Sequence, residues 1–252
     1  MWRGTVGVIK PTLRPGGLEE FIRLLPEGIG VLPLFVNIRR GTVEEFQGVL
    51  SAFEAKVAEL AEAGVDLIHP EGAPPFMVHG LRGEREIVRG WEERYRVPVV
   101  TAGMTQVEAM AALGLRRILG VTYFTGQIND TFAQYFTDAG LMVLGMEGID
   151  VPFTEVGRLS SHEVYAHTRQ AFLRLGSERV DGIYMLGSGW RVLDIIELLE
   201  QDLGVPVVHA IPARVWAIQQ RFHVHQTVKG FGRLLAELPP MAPATAPALA
   251  GD

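Results

Sequence analysis

The 252-residue chain contains no cysteine. That absence excludes disulfide bonds, thiolate metal sites and any mechanism that uses a cysteine nucleophile or a thiol acid. Long hydrophobic runs are missing too, since no apolar stretch approaches the ~20 residues that a transmembrane helix requires. The N-terminal residues also lack the apolar core of a signal peptide. We therefore expect a cytoplasmic protein with no membrane partner.

An excess of positive charge is absent as well. The chain carries 23 Lys and Arg residues against 29 Asp and Glu residues, for a formal net charge of −6, and its basic residues form no stripe. Nucleic-acid-binding surfaces need such a stripe, so we expect no nucleic-acid partner. A chain of this length buries about three quarters of its unfolded surface, which is enough for a large core.

Two segments of the chain repeat each other in register. They read VDLIHPEG at residues 65–72 and VDGIYMLG at residues 180–187. Both begin with Val-Asp and end in glycine, and matching positions lie 115 residues apart (180 − 65 = 187 − 72 = 115). Each segment is an apolar run of the length of a buried parallel strand and closes in a turn. The repeat predicts a duplicated protein with one site between its halves.

Apolar runs alternate with amphipathic stretches along the chain, which is typical of parallel sheets flanked by helices. The predicted strands cover residues 5–9, 30–36, 65–69, 97–101, 117–122, 141–145, 180–186 and 205–210. The predicted helices cover residues 43–63, 84–95, 106–113, 127–139, 161–175, 192–203, 213–222 and 226–237. Thr42 and Glu45 have the spacing of a capping box at the start of the helix over 43–63, and Gly64 ends it.

The fold class that follows is α/β, with two pseudosymmetric flavodoxin-like (Rossmann-like) halves, parallel sheets and an interdomain cleft. We predict that residues 1–102 and 211–238 form the first half and residues 103–210 the second. Residues 239–252 are rich in Pro and Ala and predict a disordered tail. Loops at the carboxyl ends of parallel strands share one rim, where open α/β sheets bind ligands.

Three candidates for chemistry lie at that rim. Glu71 directly precedes Gly72 and is either a general acid or base whose pKa is raised by partial burial, or a solvated loop carboxylate. His209 ends the last predicted strand and either reaches the cleft or makes a structural hydrogen bond. The Gly187-Ser188-Gly189 turn offers backbone N–H groups to a carboxylate, whereas the pattern around Ser188 argues against a serine nucleophile.

Weaker candidates lie at other strand ends. Thr12 and Thr122 can donate hydroxyl groups to a ligand, and Tyr123 can supply a phenol. His69 lies near Glu71 and is either its partner or a core histidine bonded to a carbonyl. Other polar pairs fit solvated loops at least as well as sites, and they are Arg39 with Arg40 and His223 with His225.

Three segments of the sequence resemble the Asp/Glu racemase superfamily, in particular its arylmalonate decarboxylase and maleate isomerase branch. They read RRILGVTYF at residues 116–124, with Asn129 following, GSGWRVLDII at residues 187–196 and GVPVV at residues 204–208. In that branch, two pseudosymmetric strand ends present two thiols, or one in the decarboxylases, to a small acid. The resemblance therefore implies the same two-half scaffold and a small carboxylate as substrate or ligand.

The residues at the matching positions depart from the family pattern. The resemblance places Gly72 at the first thiol position, Gly187 at the second and Phe124 at a pocket tyrosine. Ala73 and Pro74 stand where the family has hydroxyl donors. A thiol-based racemase, isomerase or decarboxylase mechanism is therefore excluded for this chain.

These observations predict an enzyme that needs no cofactor and no metal. It would act on a small carboxylic or dicarboxylic acid by decarboxylase-like or isomerase-like carbanion or enediolate chemistry, with an acid/base other than a thiol. The catalytic candidates are Glu71, His209 and Tyr123. The substrate-binding candidates are Thr12, Gly72, Ala73, Thr122, Phe124, Gly187, Ser188 and Gly189. Two alternatives stay open, a catalytically silent protein that binds small acids and a hydrolase or hydratase that uses water activated by Glu71. Homo-oligomer formation also stays open.

Overall fold

The computed structural model describes residues 1–176 and 179–242. Within these residues the strands form two parallel sheets, one with the order β2-β1-β3 and one with the order β5-β4-β6-β7. The strands are β1 (Gly4–Lys10), β2 (Ile29–Phe35), β3 (Leu67–Pro70), β4 (Arg117–Thr122), β5 (Met142–Gly148), β6 (Gly182–Met185) and β7 (Val207–His209). The two sheets confirm the predicted α/β fold class.

The helices connect these strands. They are α1 (Gly17–Leu24), α2 (Val43–Gly48), α3 (Leu50–Glu62), α4 (Pro74–Met77), α5 (Gly80–Tyr95), α6 (Ala102–Ala112), α7 (Gln127–Asp138), α8 (Ser161–Leu175), α9 (Leu193–Leu203), α10 (Ala210–Arg221) and α11 (Arg233–Glu237). A 3₁₀ helix covers Phe153–Arg158. None of the helices in the described residues is long and apolar enough to cross a membrane.

The sequence repeat reappears as a repeat of topology. The order β2-β1-β3 of the first sheet matches the order β5-β4-β6 of the second, to which β7 is added. The repeated segments form β3 and β6, and both ends of these strands are 115 residues apart (182 − 67 = 185 − 70 = 115). The central strands β1 and β4 carry fully buried apolar residues because a parallel sheet covered by helices is apolar on both faces.

Helix α3 does not continue from α2, so the single helix predicted over residues 43–63 is wrong. The two helices meet at Val49. The predicted cap is half formed, since the Thr42 hydroxyl accepts a hydrogen bond from the Glu45 backbone N–H at 3.3 Å. The Glu45 carboxylate instead accepts hydrogen bonds from the backbone N–H groups of Arg39, Arg40 and Gly41 at 2.8–3.0 Å. Glu45 therefore orders the loop before α2.

Two further predicted elements are wrong. Residues 97–101 form only an isolated bridge between Val99 and Ile68, because Thr101 leaves the sheet and caps α6 by accepting a hydrogen bond from the Met104 backbone N–H. The helix predicted over residues 226–237 is limited to α11, because Gly230 and Gly232 both have a φ of 90°, which an α-helix does not allow. Helices α1 and α4 and the 3₁₀ helix were not predicted.

The predicted tail begins in ordered structure. The Pro239 carbonyl accepts a hydrogen bond from the Trp216 indole N–H at 2.8 Å, so the first residues of this segment pack against α10. Residues 243–252 of the predicted tail lie outside the described residues. The predicted half boundaries after residues 102 and 210 stay a prediction.

Candidate active site

A cavity lies at the carboxyl ends of β1, β3, β4 and β6, so that both sheets contribute to its wall. It contains about 580 Å³ of empty space, part of which is open to solvent. Its lining consists of Lys10, Pro11, Thr12, Arg14, Ile38, Phe46, Glu71, Gly72, Ala73, Pro74, Pro75, Tyr123, Phe124, Phe153, Leu186, Gly187, Ser188 and Gly189. We call Glu71-Gly72-Ala73 the first turn and Gly187-Ser188-Gly189 the second turn.

The Glu71 carboxylate is buried between two partners. Its Oε2 atom accepts a hydrogen bond from Arg214 Nη1 at 2.9 Å, and its Oε1 atom accepts one from the Ser188 hydroxyl. Burial alone raises the pKa of Glu71, but the charges of Arg214 and Lys10 and these hydrogen bonds outweigh burial and lower the pKa to about 2. The expectation of a raised pKa is therefore wrong, because the sequence does not show the cation beside this carboxyl.

Arg214 projects from α10 into the core, where it is 1% exposed. Its guanidinium carbon lies 3.9 Å from the centre of the Phe21 ring, which supplies a cation–π contact. Its Nε and Nη2 atoms have no hydrogen-bond partner among the described residues. Glu71 is thus the counter-ion of Arg214, and the pair joins α10 to the first turn.

His209 forms a hydrogen bond to the second turn. Its Nδ1 atom accepts a hydrogen bond from the Ile211 backbone N–H at 3.3 Å, so we assign the ring proton to Nε2, which donates to the Gly187 carbonyl at 2.6 Å. Burial is the main cause that lowers the pKa of His209 to about 4, so the ring is neutral at pH 7. Both ring nitrogens are therefore occupied, and the ring does not line the cavity.

The two turns line the cavity and contain backbone N–H groups without an acceptor. Among the described residues, no acceptor lies within hydrogen-bond geometry of the N–H groups of Gly72, Ala73, Gly187 and Ser188. Close packing fixes the second turn, since a Cβ atom on Gly17 would lie 2.7 Å from Ser188 Cβ. Preorganised N–H groups of this kind stabilise oxyanions.

Neither glycine at the predicted thiol positions has room for a side chain. Gly72 has a φ of 92°, and a Cβ atom there would lie 2.9 Å from Pro11 Cγ. Gly187 has a φ of 52°, and a Cβ atom there would lie 2.6 Å from the Tyr123 hydroxyl oxygen. A Cβ atom on Gly189 would lie 2.9 Å from the same oxygen. The Tyr123 phenol thus fills the space in front of the second turn.

The environment of Tyr123 keeps its phenol protonated. The ring meets Trp190 edge-on, with ring centres 5.0 Å apart. Burial, as the largest cause, raises the pKa of Tyr123 to about 12, and the charge of Glu71 raises it further. The charge of Arg14 and the Gly189 backbone act in the opposite direction. At neutral pH the phenol is therefore protonated and can donate a hydrogen bond inside the cavity.

Phe124 lines the cavity as predicted, whereas Thr122 does not. The Phe124 ring stacks on Phe153, with ring centres 5.7 Å apart. The Thr122 hydroxyl is buried, donates to Asn129 Oδ1 at 2.6 Å and accepts from the Phe124 backbone N–H at 3.1 Å. Thr122 therefore shapes the loop that carries Tyr123 and Phe124 and does not face a ligand.

Two cations of the cavity were missed from the sequence. Lys10 ends β1 and is 4% exposed, and the half-buried Arg14 lies four residues later in the following loop. The Arg14 guanidinium carbon lies 4.0 Å from the centre of the Phe153 ring. Burial is the main cause that lowers the pKa of Arg14. The sequence did offer a signal for Lys10, since this lysine ends an apolar run two residues before Thr12. Thr12 lines the cavity as well.

The remaining candidates do not line the cavity. The His69 ring is buried and its Nδ1–H donates to the Val100 carbonyl at 2.8 Å, while burial lowers its pKa to about 3. Arg39 and Arg40 are exposed. His223 and His225 are exposed as well. No cluster of three or more potential metal ligands occurs among the described residues.

Comparisons with known proteins identify the family. A sequence model of the arylmalonate decarboxylase family matches residues 24–235. The chain belongs to this family. The arylmalonate decarboxylase of Bordetella bronchiseptica is 23% identical over 235 residues, which cover 92% of this chain and 97% of that protein. The recognition made from the sequence motifs is therefore confirmed.

Solved structures of maleate isomerases share the fold. The maleate isomerase of Pseudomonas putida has a TM-score of 0.85 at 20% identity, with 93% of this chain and 99% of that chain covered. A cysteine-to-serine variant of the Nocardia farcinica maleate cis-trans isomerase, which holds a covalently bound succinylcysteine intermediate, has a TM-score of 0.83 at 23% identity. The match covers 93% of this chain and 98% of that chain.

Proposed function

We propose that this protein is a cofactor-independent enzyme that acts on a small carboxylic or dicarboxylic acid through an enediolate, with Tyr123 as its proton donor in place of a thiol. One observation carries the proposal. The Tyr123 hydroxyl lies in the cavity directly against Gly187, the position at which the family resemblance places a thiol. The phenol is thus available where a relative would hold its acid.

The relatives support the substrate class. They are arylmalonate decarboxylase and maleate isomerases, which are enzymes that act on small carboxylic acids. One of them forms a succinylcysteine, which this cysteine-free chain cannot form. An enzyme that shares the scaffold of these relatives but uses a proton donor other than cysteine agrees with both the similarity and the absence of cysteine.

The proposed step can be written for a malonate-like acid. The bond from the α-carbon to one carboxyl group breaks, carbon dioxide leaves, and the electron pair spreads over the remaining carboxylate as an enediolate. The free N–H groups of the first and second turns stabilise its oxygens. Tyr123 then donates its proton to the α-carbon, and the phenolate takes a proton from water.

Glu71 and His209 support this step without moving the proton. Glu71 is a weak base because its pKa is lowered to about 2, and it fixes Ser188 in the second turn. His209 fixes the Gly187 carbonyl of the same turn. The alternative of a hydrolase or hydratase needs Glu71 to accept a proton from water, so the low pKa of this carboxyl argues against it.

Proton NMR in D₂O tests the proposal. The purified protein is incubated with malonate, phenylmalonate, maleate, 2-hydroxy acids and amino acids, and a mock preparation without the protein serves as control. We expect loss or conversion of one acid, or deuterium at its α-carbon. Ligand-induced thermal stabilisation without any exchange or conversion would contradict the proposal and favour the catalytically silent binding protein.

A further inference from the structure

Lys10 is the buried lysine of a chain in which lysine is rare. Three of the 23 basic residues are lysines, namely Lys10, Lys56 and Lys229, and the other 20 are arginines (23 − 3 = 20). Lys56 pairs with Glu59 at 2.8 Å, and Lys229 is exposed. Lys10 is 4% exposed and lines the cavity. The cavity wall thus contains a lysine, whose amine can lose its proton, whereas the guanidinium of an arginine cannot.

No described side chain forms an ion pair or a hydrogen bond with the Lys10 ammonium group. The Glu71 carboxylate is close enough for the Lys10 charge to act on it, but its oxygens are held by Arg214 and Ser188. Arg14 adds a second cation to the same wall. Burial and a neighbouring cation are the two conditions that favour the neutral, nucleophilic form of a lysine.

The backbone of Lys10 is fixed on both sides of the side chain. Lys10 lies in β1 and pairs in register with Phe35 of β2. Its carbonyl accepts a hydrogen bond from the Val36 backbone N–H at 2.9 Å, and the Pro11 carbonyl accepts one from the Ile38 backbone N–H at 2.6 Å. Reactive groups on strands are held more precisely than those on loops. The Lys10 side chain therefore starts from a rigid point in the cavity wall.

The same cavity contains groups that suit a carboxylate. The first and second turns line it, and the backbone N–H groups of Gly72, Ala73, Gly187 and Ser188 have no acceptor among the described residues. Such N–H groups bind oxyanions. An oxo acid carries a carboxylate for these N–H groups and a carbonyl carbon for an amine, so it matches both features of the wall.

We propose that Lys10 is a nucleophile that forms an imine with oxo acids. Its neutral amine attacks the carbonyl carbon, a carbon–nitrogen bond forms, and the carbonyl oxygen becomes the hydroxyl group of a carbinolamine. The carbon–oxygen bond then breaks, the oxygen leaves as water, and a protonated imine remains. In total, the Lys10 ammonium group and one carbonyl group give a protonated imine and one water, whose two hydrogens come from the ammonium group.

The inference does not rest on the proposed enediolate step. Imine formation breaks no bond of the α-carbon and needs no proton transfer from Tyr123 to that carbon. It assigns the cavity a further activity, on oxo acids, in which the protonated imine withdraws electrons from the α-carbon.

Reductive trapping tests the inference. The protein is incubated with acetoacetate or pyruvate and with sodium cyanoborohydride, which reduces an imine to a stable secondary amine, and is then digested for peptide mass spectrometry. We expect the adduct on Lys10, with about tenfold less on Lys56 and Lys229. A sample unfolded in urea serves as control, and there the preference for Lys10 should disappear.

Two matched variants separate the amine from its charge. Lys10→Arg keeps the positive charge and cannot form an imine, whereas Lys56→Arg makes the same change at a lysine that does not line the cavity. We expect K10R to lose the adduct at residue 10 and K56R to keep the adduct on Lys10. Thermal melts show whether both variants fold, and the distribution of the adduct over the lysines of the wild type decides the outcome if K10R does not fold.

Equal labelling of the three lysines in the folded wild type, or no labelling of Lys10 by either oxo acid, would overturn the inference. Labelling of Lys10 without deuteration or turnover of any acid in D₂O would leave the imine and remove the proposed function. Deuteration or turnover in D₂O without labelling of Lys10 would remove the imine and leave the proposed function.

Discussion

At the scale of single residues, burial and charge act on the Glu71 carboxyl in opposite directions. Burial favours the neutral form, whereas Arg214 and Lys10 favour the carboxylate, and the two cations prevail. The result is a permanent anion that holds Ser188 and neutralises Arg214. Tyr123 is the opposite case. There the effect of burial exceeds that of the Arg14 charge, so the pKa is raised and the phenol keeps its proton.

Glu71→Gln should destabilise the protein, because it leaves the buried Arg214 charge without its counter-ion. We expect a loss of about 3–5 kcal/mol in the free energy of unfolding, measured by chemical denaturation at pH 7. The double variant with Arg214→Met removes the orphaned charge and should recover most of the loss. A single variant as stable as the wild type would contradict the importance of this pair.

The same pair predicts a pH dependence in acid. The pKa of Glu71 is lowered from 4.5 to about 2 in the folded protein, so its contribution is fully present above pH 4.5 and is lost as the pH falls toward 2. Denaturation curves across this range should show a steeper loss of stability for the wild type than for E71Q. Equal slopes would show that Glu71 titrates as in the unfolded chain.

Individual site residues differed in how far the sequence could predict them. Glu71, Gly187 and Tyr123 were selected because they follow strand ends, where parallel sheets bind ligands, and all three line the cavity. The pKa of Glu71 was mispredicted because Arg214 lies 143 residues later in the chain. Lys10 was missed because its place in the cavity wall is set by the three-dimensional fold, which no sequence spacing reveals.

At the scale of elements, the second turn is fixed from three sides. His209 at the end of β7 holds its first carbonyl, the first turn holds Ser188 through Glu71, and α1 packs against it at Gly17. Its conformation depends on glycine, since Gly187 has a φ of 52° and meets the Tyr123 hydroxyl. The turn and the tyrosine are therefore complementary in shape.

Gly187→Cys tests this complementarity. The single variant should lose about 1–2 kcal/mol from the left-handed backbone conformation and more from the clash with the phenol. Combining it with Tyr123→Ala opens the space. The double variant should therefore lose less free energy of unfolding than the sum of the losses of Y123A and G187C. Thermal melts and titration of the thiol in the native state measure this. Additive losses would show that the phenol does not compete with a side chain at residue 187.

The elements predicted from periodicity were mostly correct, and the errors have local causes. The helix over Ser161–Leu175 and the strand over Arg117–Thr122 have the predicted bounds because capping and apolar pattern agree there. The break at Val49 and the loss of helix before α11 reflect local backbone geometry that periodicity does not show. Residues 97–101 have strand composition but only one bridging partner.

At the scale of the whole molecule, a buried carboxyl connects α5, which follows the first sheet, with α7, which packs beside the second. Glu84 on α5 accepts hydrogen bonds from the Thr101 hydroxyl at 2.6 Å and from the Tyr135 hydroxyl on α7. Burial raises the pKa of Glu84 to about 7, although both hydrogen bonds lower it. Burying Glu84 between α5 and α7 is therefore least unfavourable when its carboxyl group is protonated.

Glu84→Gln should therefore change how stability depends on pH. Because the folded protein holds this proton more tightly than the unfolded chain, the contribution of Glu84 is fully present below pH 4.5 and is lost as the pH rises to 7. We expect the free energy of unfolding of E84Q to lack this decline, which amounts to on the order of 3 kcal/mol. Parallel curves for E84Q and the wild type between pH 4.5 and 7 would contradict the raised pKa.

Two buried phenols provide the most direct test of Tyr123 as the proton donor. Tyr123 lines the cavity, whereas the Tyr184 hydroxyl is buried elsewhere and has no hydrogen-bond partner among the described residues. With the acid identified by NMR in D₂O, we measure α-carbon deuteration or turnover for Y123F and Y184F. We predict that Y123F loses about 10²–10⁴-fold in rate and that Y184F keeps the wild-type rate, with both variants folded. Wild-type rates for Y123F would show that another group supplies the proton.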